Sequence, residues 1–512
     1  MMAHLPILPV LIPLAAAVLL LAANAGLAVT RAISVASLIL LAAVGAVLLE
    51  AASDGTLRVY RLGDWPAPYG IVLVLDRLSA LMVALTCFLG VAVVLAALSG
   101  TDTRGRYFHA FLQFQMMGLN GAFLTGDLFN LFVFFEILLL ASYGLLVHGG
   151  GLERAQAGIA YVVLNLSGSA LFLVALGLLY GFLGTLNMAD FGVVLQSVSP
   201  ADQGVVAVMC MLLVTVFLLK AAVLPIGFWL PHVYTAATLP VAALFVIMTK
   251  VGIYAVLRVT TIGLAAAPFT ADLLQPWLTW LALGTIALGC VGMFAASTLG
   301  VVIANLVIIS GGTLLLAVAE PTVPSIAAAL YYLVQTSLVT AALFLLADAL
   351  SRQRGDVADR FTDGPRLQSF TAIGLIYLVI GVAACGAPPL SGFLGKIMVM
   401  QAMSGSTHPV LVWTALIVSG FAAALVLARA ASVFFWEPGA PGIADRPDVL
   451  YVPARGLSTA LVVMFGAVVA VSFAAAPVSS YARATAEQIL AREAYVPAVL
   501  GDPAAVQRER RP

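Results

Sequence analysis

Four ionisable side chains lie inside long apolar stretches of the sequence. Glu136 follows five apolar residues, and three lysines each interrupt an apolar run: Lys220, Lys250 and Lys396. A lysine at the centre of a membrane helix costs roughly 2.5–3.5 kcal/mol on insertion scales, so such residues usually face a polar interior and mark an ion path. One acid and three amines at this depth predict a chain of proton carriers. We expect Glu136 and Lys220 to form an ion pair within it.

Lysine suits proton transfer because its amine is able to lose a proton. Burial lowers the pKa of an amine, and a nearby carboxylate raises it again. Movement of Glu136 towards or away from Lys220 would therefore make the amine bind or release a proton, which an arginine would not do. The alternative interpretation is structural. A buried Glu–Lys pair can hold two helices together, and a lysine near a helix end can extend to the headgroups.

Three prolines indicate that two helices are broken next to these lysines. Pro225 follows the first lysine, and Pro388 and Pro389 precede the third. The backbone groups freed at such a break are tolerated in a membrane only where they line a cavity or are buried in protein. His232 lies just after the first break, where it could relay protons or cap the break, and the sequence leaves both interpretations open.

Smaller polar residues follow one predicted helix between the acid and the first lysine. Tyr161, Asn165, Ser167 and Ser169 offer hydroxyl and amide contacts along it. Small polar residues at such spacing are usually helix-packing contacts, and we interpret them so. The predicted proton carriers are therefore the acid and the three lysines.

The composition defines the class of protein. Hydrophobic residues make up 63% of the 512 residues, charged residues 9%, and mean hydropathy is +1.11. Apolar runs of about twenty residues recur along the chain, enough for roughly fourteen spans, which predicts an all-α polytopic membrane protein. The net charge of zero and the lack of a basic patch argue against nucleic acid as a partner. No metal or cofactor motif is present, since the four cysteines lie singly in apolar runs.

Hydropathy and the two breaks divide the chain into five segments. Broken helices in corresponding positions of two halves indicate inverted repeats around an ion path. Helix order and spacing support this division, and no residue identity does. We predict three N-terminal helices, a first inverted five-helix repeat, a second such repeat, a last span and a polar tail, at 1–106, 107–259, 274–435, 456–476 and 477–512. The predicted spans are 5–24, 32–50, 70–98, 107–125, 127–147, 155–184, 202–224, 238–259, 274–294, 297–318, 323–349, 370–403, 409–435 and 456–476.

The basic residues of the predicted loops favour an outside N-terminus. With that orientation, ten arginines lie in inside loops and three in outside loops, which agrees with the positive-inside rule. The arginine-rich tail would lie outside and argues the other way. We predict a multi-pass protein of the bacterial inner membrane with its N-terminus outside.

The motifs around the charged residues resemble the antiporter-like subunits of respiratory complex I and its relatives. Leu-Phe-Val-Phe-Phe-Glu ends at Glu136, Pro-x-Gly-x-Trp-Leu-Pro follows Lys220, Val-Gly-x-Tyr follows Lys250, and Gly-x-Pro-Pro-Leu-Ser-Gly-Phe-x-Gly precedes Lys396. The resemblance implies roughly fourteen helices with two inverted repeats. It also implies that the glutamate and the three lysines named here carry protons.

Within that family, the chain is most similar to the D subunits of Mrp-type multisubunit Na⁺/H⁺ antiporters. The features are Leu330-Tyr-Tyr-Leu, the stretch from Ala428 to Trp436, and a lysine at position 396. The resemblance implies a secondary transporter subunit, and no enzyme, that exchanges Na⁺ for H⁺, lies in the lipid bilayer and needs the other membrane subunits of its complex. The alternative is a proton-pumping membrane subunit of a complex I-type NADH:quinone oxidoreductase or a membrane-bound hydrogenase.

Two positions depart from the family pattern. Gln335 stands where the family often has a histidine, and an amide cannot hold a proton in transit. A relay here would have to use water around Gln335, Thr336 and Ser337. The stretch that begins at Ser297 also lacks the basic residue that the family usually places at the start of its tenth helix.

Overall fold

The structure is a computed structural model, and it describes residues 2–23, 26–365, 367, 370–436 and 454–501. Within these residues the chain forms nineteen α-helices and one two-stranded antiparallel sheet. The strands are β1 (Arg58–Arg61) and β2 (Val72–Leu75). The helices are α1 (Leu8–Ala22), α2 (Leu27–Ala52), α3 (Arg77–Ala97), α4 (Phe108–Leu124), α5 (Leu128–Leu146), α6 (Leu152–Leu183), α7 (Met188–Leu195), α8 (Gln203–Lys220), α9 (Trp229–Ala236), α10 (Leu239–Ile262), α11 (Pro268–Phe294), α12 (Leu299–Ala319), α13 (Val323–Arg354), α14 (Phe370–Cys385), α15 (Ser391–Ala402), α16 (Pro409–Ala431), α17 (Arg455–Phe473), α18 (Ala475–Leu490) and α19 (Arg492–Leu500).

Twelve helices in the described part of the chain are long and apolar enough to cross a membrane. Two predicted spans have no such helix. The span 107–125 corresponds to α4, which has 17 residues, and the span 370–403 divides into α14 and α15. The prediction of an all-α polytopic membrane protein is confirmed, whereas the number fourteen stays a prediction.

The third span begins later than the sequence predicts because a hairpin precedes it. Strand β2 pairs with β1, with Arg58 opposite Leu75, and the residues of β2 lie within the predicted span 70–98. The helix α3 begins only after Asp76, whose carboxylate accepts a hydrogen bond from the backbone N–H of Ser79 at 2.8 Å. Such a cap satisfies an N–H group that has no partner within the helix.

Three helices, α10, α12 and α13, form the centre of the bundle and are almost entirely buried. They pack against one another and are surrounded by helices that keep an exposed apolar face, such as α2, α6 and α16. Lys250 and Gln335 lie on the central helices. The fold therefore keeps these polar side chains away from lipid.

The described part of the polar C-terminal tail, up to residue 501, folds back onto the bundle as two helices. Arg483 and Glu487 form an ion pair at 3.2 Å on the exposed face of α18. This helix ends at Leu490, and α19 begins at Arg492. Residues of α19, including Tyr495, pack on the hairpin. The tail thus covers the loop between α2 and α3.

Candidate functional site

The acid and the first lysine of the predicted path meet across the hydroxyl of Ser169. Glu136 lies on α5, Ser169 on α6, and Lys220 is the last residue of α8. The Ser169 hydroxyl donates a hydrogen bond to the Glu136 carboxylate. The Lys220 amine, 5% exposed, donates to Ser169 Oγ at 3.3 Å and to both the backbone oxygen (3.3 Å) and Oδ1 (3.4 Å) of Asn165. The three helices therefore converge on one hydrogen-bonded cluster.

The expected direct ion pair between Glu136 and Lys220 is not formed. Among the described residues, none of the ion pairs joins the carboxylate to the amine. Ser169 occupies the position between them and contacts both. The sequence could not show this because the two charges lie on helices that do not adjoin in the chain, and their separation depends on the helix between them.

The first helix break places Lys220 at a helix C-terminus. The carbonyl groups at such an end favour a positive charge. After this residue the backbone turns sharply, with Ala222 at φ 55°, and α9 resumes at Trp229. The N–H of Leu224 donates to Thr285 Oγ1 on α11 at 3.0 Å, and Pro225 has no N–H to satisfy. The break is thus stabilised by a neighbouring helix, as a break within a membrane requires.

Lys250 is wholly buried in the middle of α10. Its amine donates to Ser310 Oγ on α12 at 2.7 Å, and the Ser310 hydroxyl in turn donates to the backbone oxygen of Val307 at 2.7 Å. No described carboxylate forms an ion pair with this amine. Gly252 allows α10 to approach α8 at this depth, since a Cβ there would lie 2.6 Å from the backbone nitrogen of Ala221.

Lys396 lies after the second helix break, on α15. Its amine donates to the backbone oxygen of Cys385, the last residue of α14, at 3.0 Å. Gly386 takes a positive φ of 75° directly after it, and Pro388 and Pro389 complete the turn into α15. Lys220 lies before the first helix break, whereas Lys396 lies after the second. The two halves therefore place the lysine on opposite sides of the break.

Gln335 shares a small cavity with Lys396. The cavity has a volume of about 10 Å³ and is lined by Gln335, Thr336, Lys396 and other residues of α12, α13, α14 and α16. That volume is close to the space that one water molecule needs. The Gln335 amide donates to the backbone oxygen of Ala383 at 3.1 Å, which leaves its carbonyl oxygen available to such a water.

His232 lies away from the lysines. Its side chain is exposed on α9 and lines a cavity of about 570 Å³ together with Arg154, Asp348, Asp359 and residues at the starts of α10 and α12. In the described part of the chain, no hydrogen bond joins its ring to one of the three lysine amines. The histidine therefore belongs to a polar vestibule at one end of the bundle.

Asp76 and Asp102 of this fold are ion-paired with arginines, unlike the three lysines. Arg258 makes a two-pronged ion pair with Asp76 and also contacts Tyr254. Asp102, in the loop after α3, accepts from Arg31 at 2.6 Å and contacts His109 at 3.2 Å. Burial alone would raise the pKa of Asp102, but these hydrogen bonds outweigh it and hold the pKa of the carboxyl below its usual value. These ion pairs join separate elements of the fold.

Sequence reasoning missed the oxygen ligands of the amines. The sequence predicts packing roles for Asn165 and Ser169, and it gives no signal for Ser310. Asn165 and Ser169 stand four residues apart and so share one helix face, whereas Ser167 points away and is exposed. The four-residue spacing of Asn165 and Ser169 is the signal in the sequence that could have identified them as ligands of one amine. No group of three or more His, Cys, Asp or Glu side chains in the described ranges could hold a metal ion.

Fold and site together define a polytopic membrane protein with three buried amines, one acid and two interrupted helices. Residues 125–422 match the family model described as NADH:quinone oxidoreductase/Mrp antiporter, transmembrane. The chain belongs to this family.

Individual relatives extend the likeness over almost the whole chain. It is 39% identical to the D subunit of a probable K⁺/H⁺ antiporter of Rhizobium meliloti, with 98% of both chains covered. It is 35% identical to the D subunit of the Na⁺/H⁺ antiporter of Bacillus subtilis, with 96% of this chain and 99% of the relative covered. The predicted resemblance to antiporter subunits of the D type is confirmed.

Solved structures show the same fold. A chain of the Mrp complex from Dietzia sp. superposes with a TM-score of 0.85 at 24% identity, covering 98% of this chain and 99% of that one. A chain of respiratory complex I from Thermus thermophilus gives a TM-score of 0.77 at 23% identity, covering 98% of this chain and 100% of that one. At such identities the likeness concerns the fold alone.

Proposed function

We propose that this chain is the proton-translocating subunit of a multisubunit monovalent cation/proton antiporter in the bacterial inner membrane. It moves H⁺ into the cell while the complex exports Na⁺ or K⁺, the ions in the names of its relatives. The chain requires the other membrane subunits of that complex, and its N-terminus lies outside.

The burial of Lys250 without a counter-charge is the observation that carries this proposal. A buried ion pair is explained by helix contact alone, because each charge compensates the other. The Lys250 amine is 0% exposed and has a hydroxyl as its partner. An amine that is costly to bury and not paired is explained by a need for an ionisable group at that depth.

We further propose that protons pass along Glu136, Lys220, Lys250 and Lys396. The first two are linked through Ser169. The close approach of α10 to α8 at Gly252 supports proton transfer between the first and the second lysine. A water in the 10 Å³ cavity beside Lys396 would stand in for the histidine that Gln335 replaces. The vestibule lined by His232 is the inner opening of the path.

The predicted repeats are part of the same proposal. The segments 107–259 and 274–435 each contain one interrupted helix with a lysine beside the break, α8–α9 in the first and α14–α15 in the second. Two such units around an ion path are typical of secondary transporters. The described residues of the segments 1–106, 456–476 and 477–512 then pack around the two units.

Cation/proton exchange in everted membrane vesicles tests the proposal. Vesicles from an antiporter-deficient strain would carry the complete operon, either wild type or with Lys220→Ala, and a pH-sensitive dye would report proton release after addition of Na⁺ or K⁺. We expect dequenching with the wild type and background dequenching with the variant at equal protein level. Dequenching that survives in the variant would contradict the role of Lys220. No dequenching with the wild type would favour the redox-coupled pump of a complex I-type assembly.

A further inference from the structure

The Ser169 hydroxyl can join an ammonium group to a carboxylate because it both donates and accepts a hydrogen bond. A charged lysine only donates hydrogen bonds, and an ionised glutamate only accepts them. Ser169 donates to Glu136 and accepts from Lys220. Its single proton already points at the carboxylate, and its lone pair already faces the amine. The hydroxyl is thus oriented to accept a proton from the amine and to donate its own to the carboxylate.

The neighbouring serine shows that this orientation is not the usual one for a membrane helix. A serine within a helix commonly donates to the carbonyl four residues before it, and Ser167 does so to Val163 at 2.9 Å. The corresponding carbonyl for Ser169 is that of Asn165, and it accepts from Lys220 instead. Because the lysine occupies that carbonyl, the Ser169 proton is directed to Glu136.

The packing of α6 against α8 fixes this geometry. Ser169 is 5% exposed and Asn165 is 1% exposed. A Cβ on Gly168 would lie 3.1 Å from Leu219 Cδ2, so the two helices are already in close contact there. The Asn165 amide is held by the backbone oxygen of Tyr161 at 2.9 Å, which turns Oδ1 towards the lysine.

We propose that Ser169 relays a proton from Lys220 to Glu136, an inference that rests on the proposed function. One N–H bond of the ammonium group breaks as an O–H bond forms on Ser169 Oγ. The original Ser169 O–H bond breaks as its proton binds the Glu136 carboxylate. The step begins with a cation and an anion, ends with a neutral amine and a neutral carboxylic acid, and needs no further reactant.

The test compares three variants in the complete complex: Ser169→Ala, Ser169→Thr and the control Ser167→Ala. A positioned proton-transfer group typically contributes about 10²- to 10⁴-fold to a rate, so we expect Ser169→Ala to slow exchange by at least about tenfold. Ser169→Thr keeps the hydroxyl and should stay within about threefold of the wild type, as should Ser167→Ala. The slowed variant should also show a larger solvent isotope effect in D₂O, which a loss of packing would not cause.

Two outcomes would overturn the relay. One is Ser169→Ala exchanging at the wild-type rate while Lys220→Ala is inactive, which leaves the proposed function intact. The other is an equal loss in Ser169→Ala and Ser169→Thr with normal assembly on native gels, which assigns the serine to packing. Inactivity of the wild type would instead reject the proposed function itself.

Infrared difference spectroscopy of the purified complex gives a second measurement where exchange is too slow to follow. A band of the protonated Glu136 carboxyl, identified by its loss in Glu136→Gln, should appear more slowly after a pH jump in Ser169→Ala than in Ser167→Ala. Equal rates of appearance in these two variants would overturn the relay.

Discussion

Replacement of Lys250 by methionine is expected to stabilise the fold, or leave it unchanged, while it abolishes exchange. Removing a lysine from the middle of a membrane helix saves roughly 2.5–3.5 kcal/mol on insertion scales. The lost hydrogen bond to Ser310 offsets about 1.5–3 kcal/mol of this. The Ser310 hydroxyl keeps its bond to Val307, so no buried donor is left unpaired. The net change in the free energy of unfolding therefore lies between a loss of about 0.5 kcal/mol and a gain of about 2 kcal/mol.

Arg258→Met is the matched control because it lies two turns further along the same helix. This arginine is ion-paired, and its removal leaves the Asp76 carboxylate buried without its partner. Breaking a buried pair in this way costs about 3–5 kcal/mol. Arg258→Met should thus be several kcal/mol less stable than Lys250→Met, about 3–5 kcal/mol below the wild type.

Denaturant unfolding of the complex in detergent, followed by tryptophan fluorescence, measures both changes against the wild type. Exchange in everted vesicles measures the loss of function. A Lys250→Met protein that is destabilised as strongly as Arg258→Met would refute the reasoning, because the lysine would then have a structural partner. A stable Lys250→Met protein with normal exchange would remove this lysine from the path.

Two further predictions concern residues outside the amine contacts. Gly252→Ala should cost about 1–3 kcal/mol in the denaturant unfolding assay, since its Cβ would meet the backbone of Ala221 at 2.6 Å. Gly181→Ala, with no atom within 4 Å of the added Cβ, should be neutral or stabilising in the same assay. Burial raises the pKa of Asp359 above its ordinary value. The folded chain therefore binds the carboxyl proton of Asp359 more tightly than the unfolded chain does. As a result, the free energy of unfolding falls as the pH rises from about 4 through the folded pKa. Asp359→Asn should flatten that fall in a pH series of unfolding curves, whereas Asp356→Asn, at an exposed position, should keep it.

The charged residues and the helix breaks could be predicted because each is unfavourable within an apolar membrane helix. A lysine in an apolar run and a proline within a span both carry a clear cost in a membrane, so their presence is informative without any alignment. The positions of Lys220 and Pro225 relative to α8 and α9 followed from this alone. The same logic found Glu136.

The contacts of those residues could not be predicted for an equally physical reason. Serine and asparagine cost little in a membrane helix, so Ser169 and Ser310 do not stand out from serines that bond their own backbone, such as Ser167. The second strand of the hairpin before α3 was also hidden, because Val72–Leu75 is as apolar as a span and only the pairing with β1 distinguishes it. Hydropathy measures burial and does not distinguish a short strand from the start of a helix.

The contrast between paired arginines and unpaired lysines suggests how one bundle combines rigidity with proton movement. Arg258 and Arg31 are held by carboxylates, and each of these contacts is strong because both groups are charged. The amines of Lys220, Lys250 and Lys396 are held by neutral hydroxyl, amide or carbonyl oxygens. Such oxygens still interact with the amine after its proton has left, whereas a carboxylate partner would oppose the loss of charge. The neutral ligands therefore allow each amine to change its charge without breaking the fold.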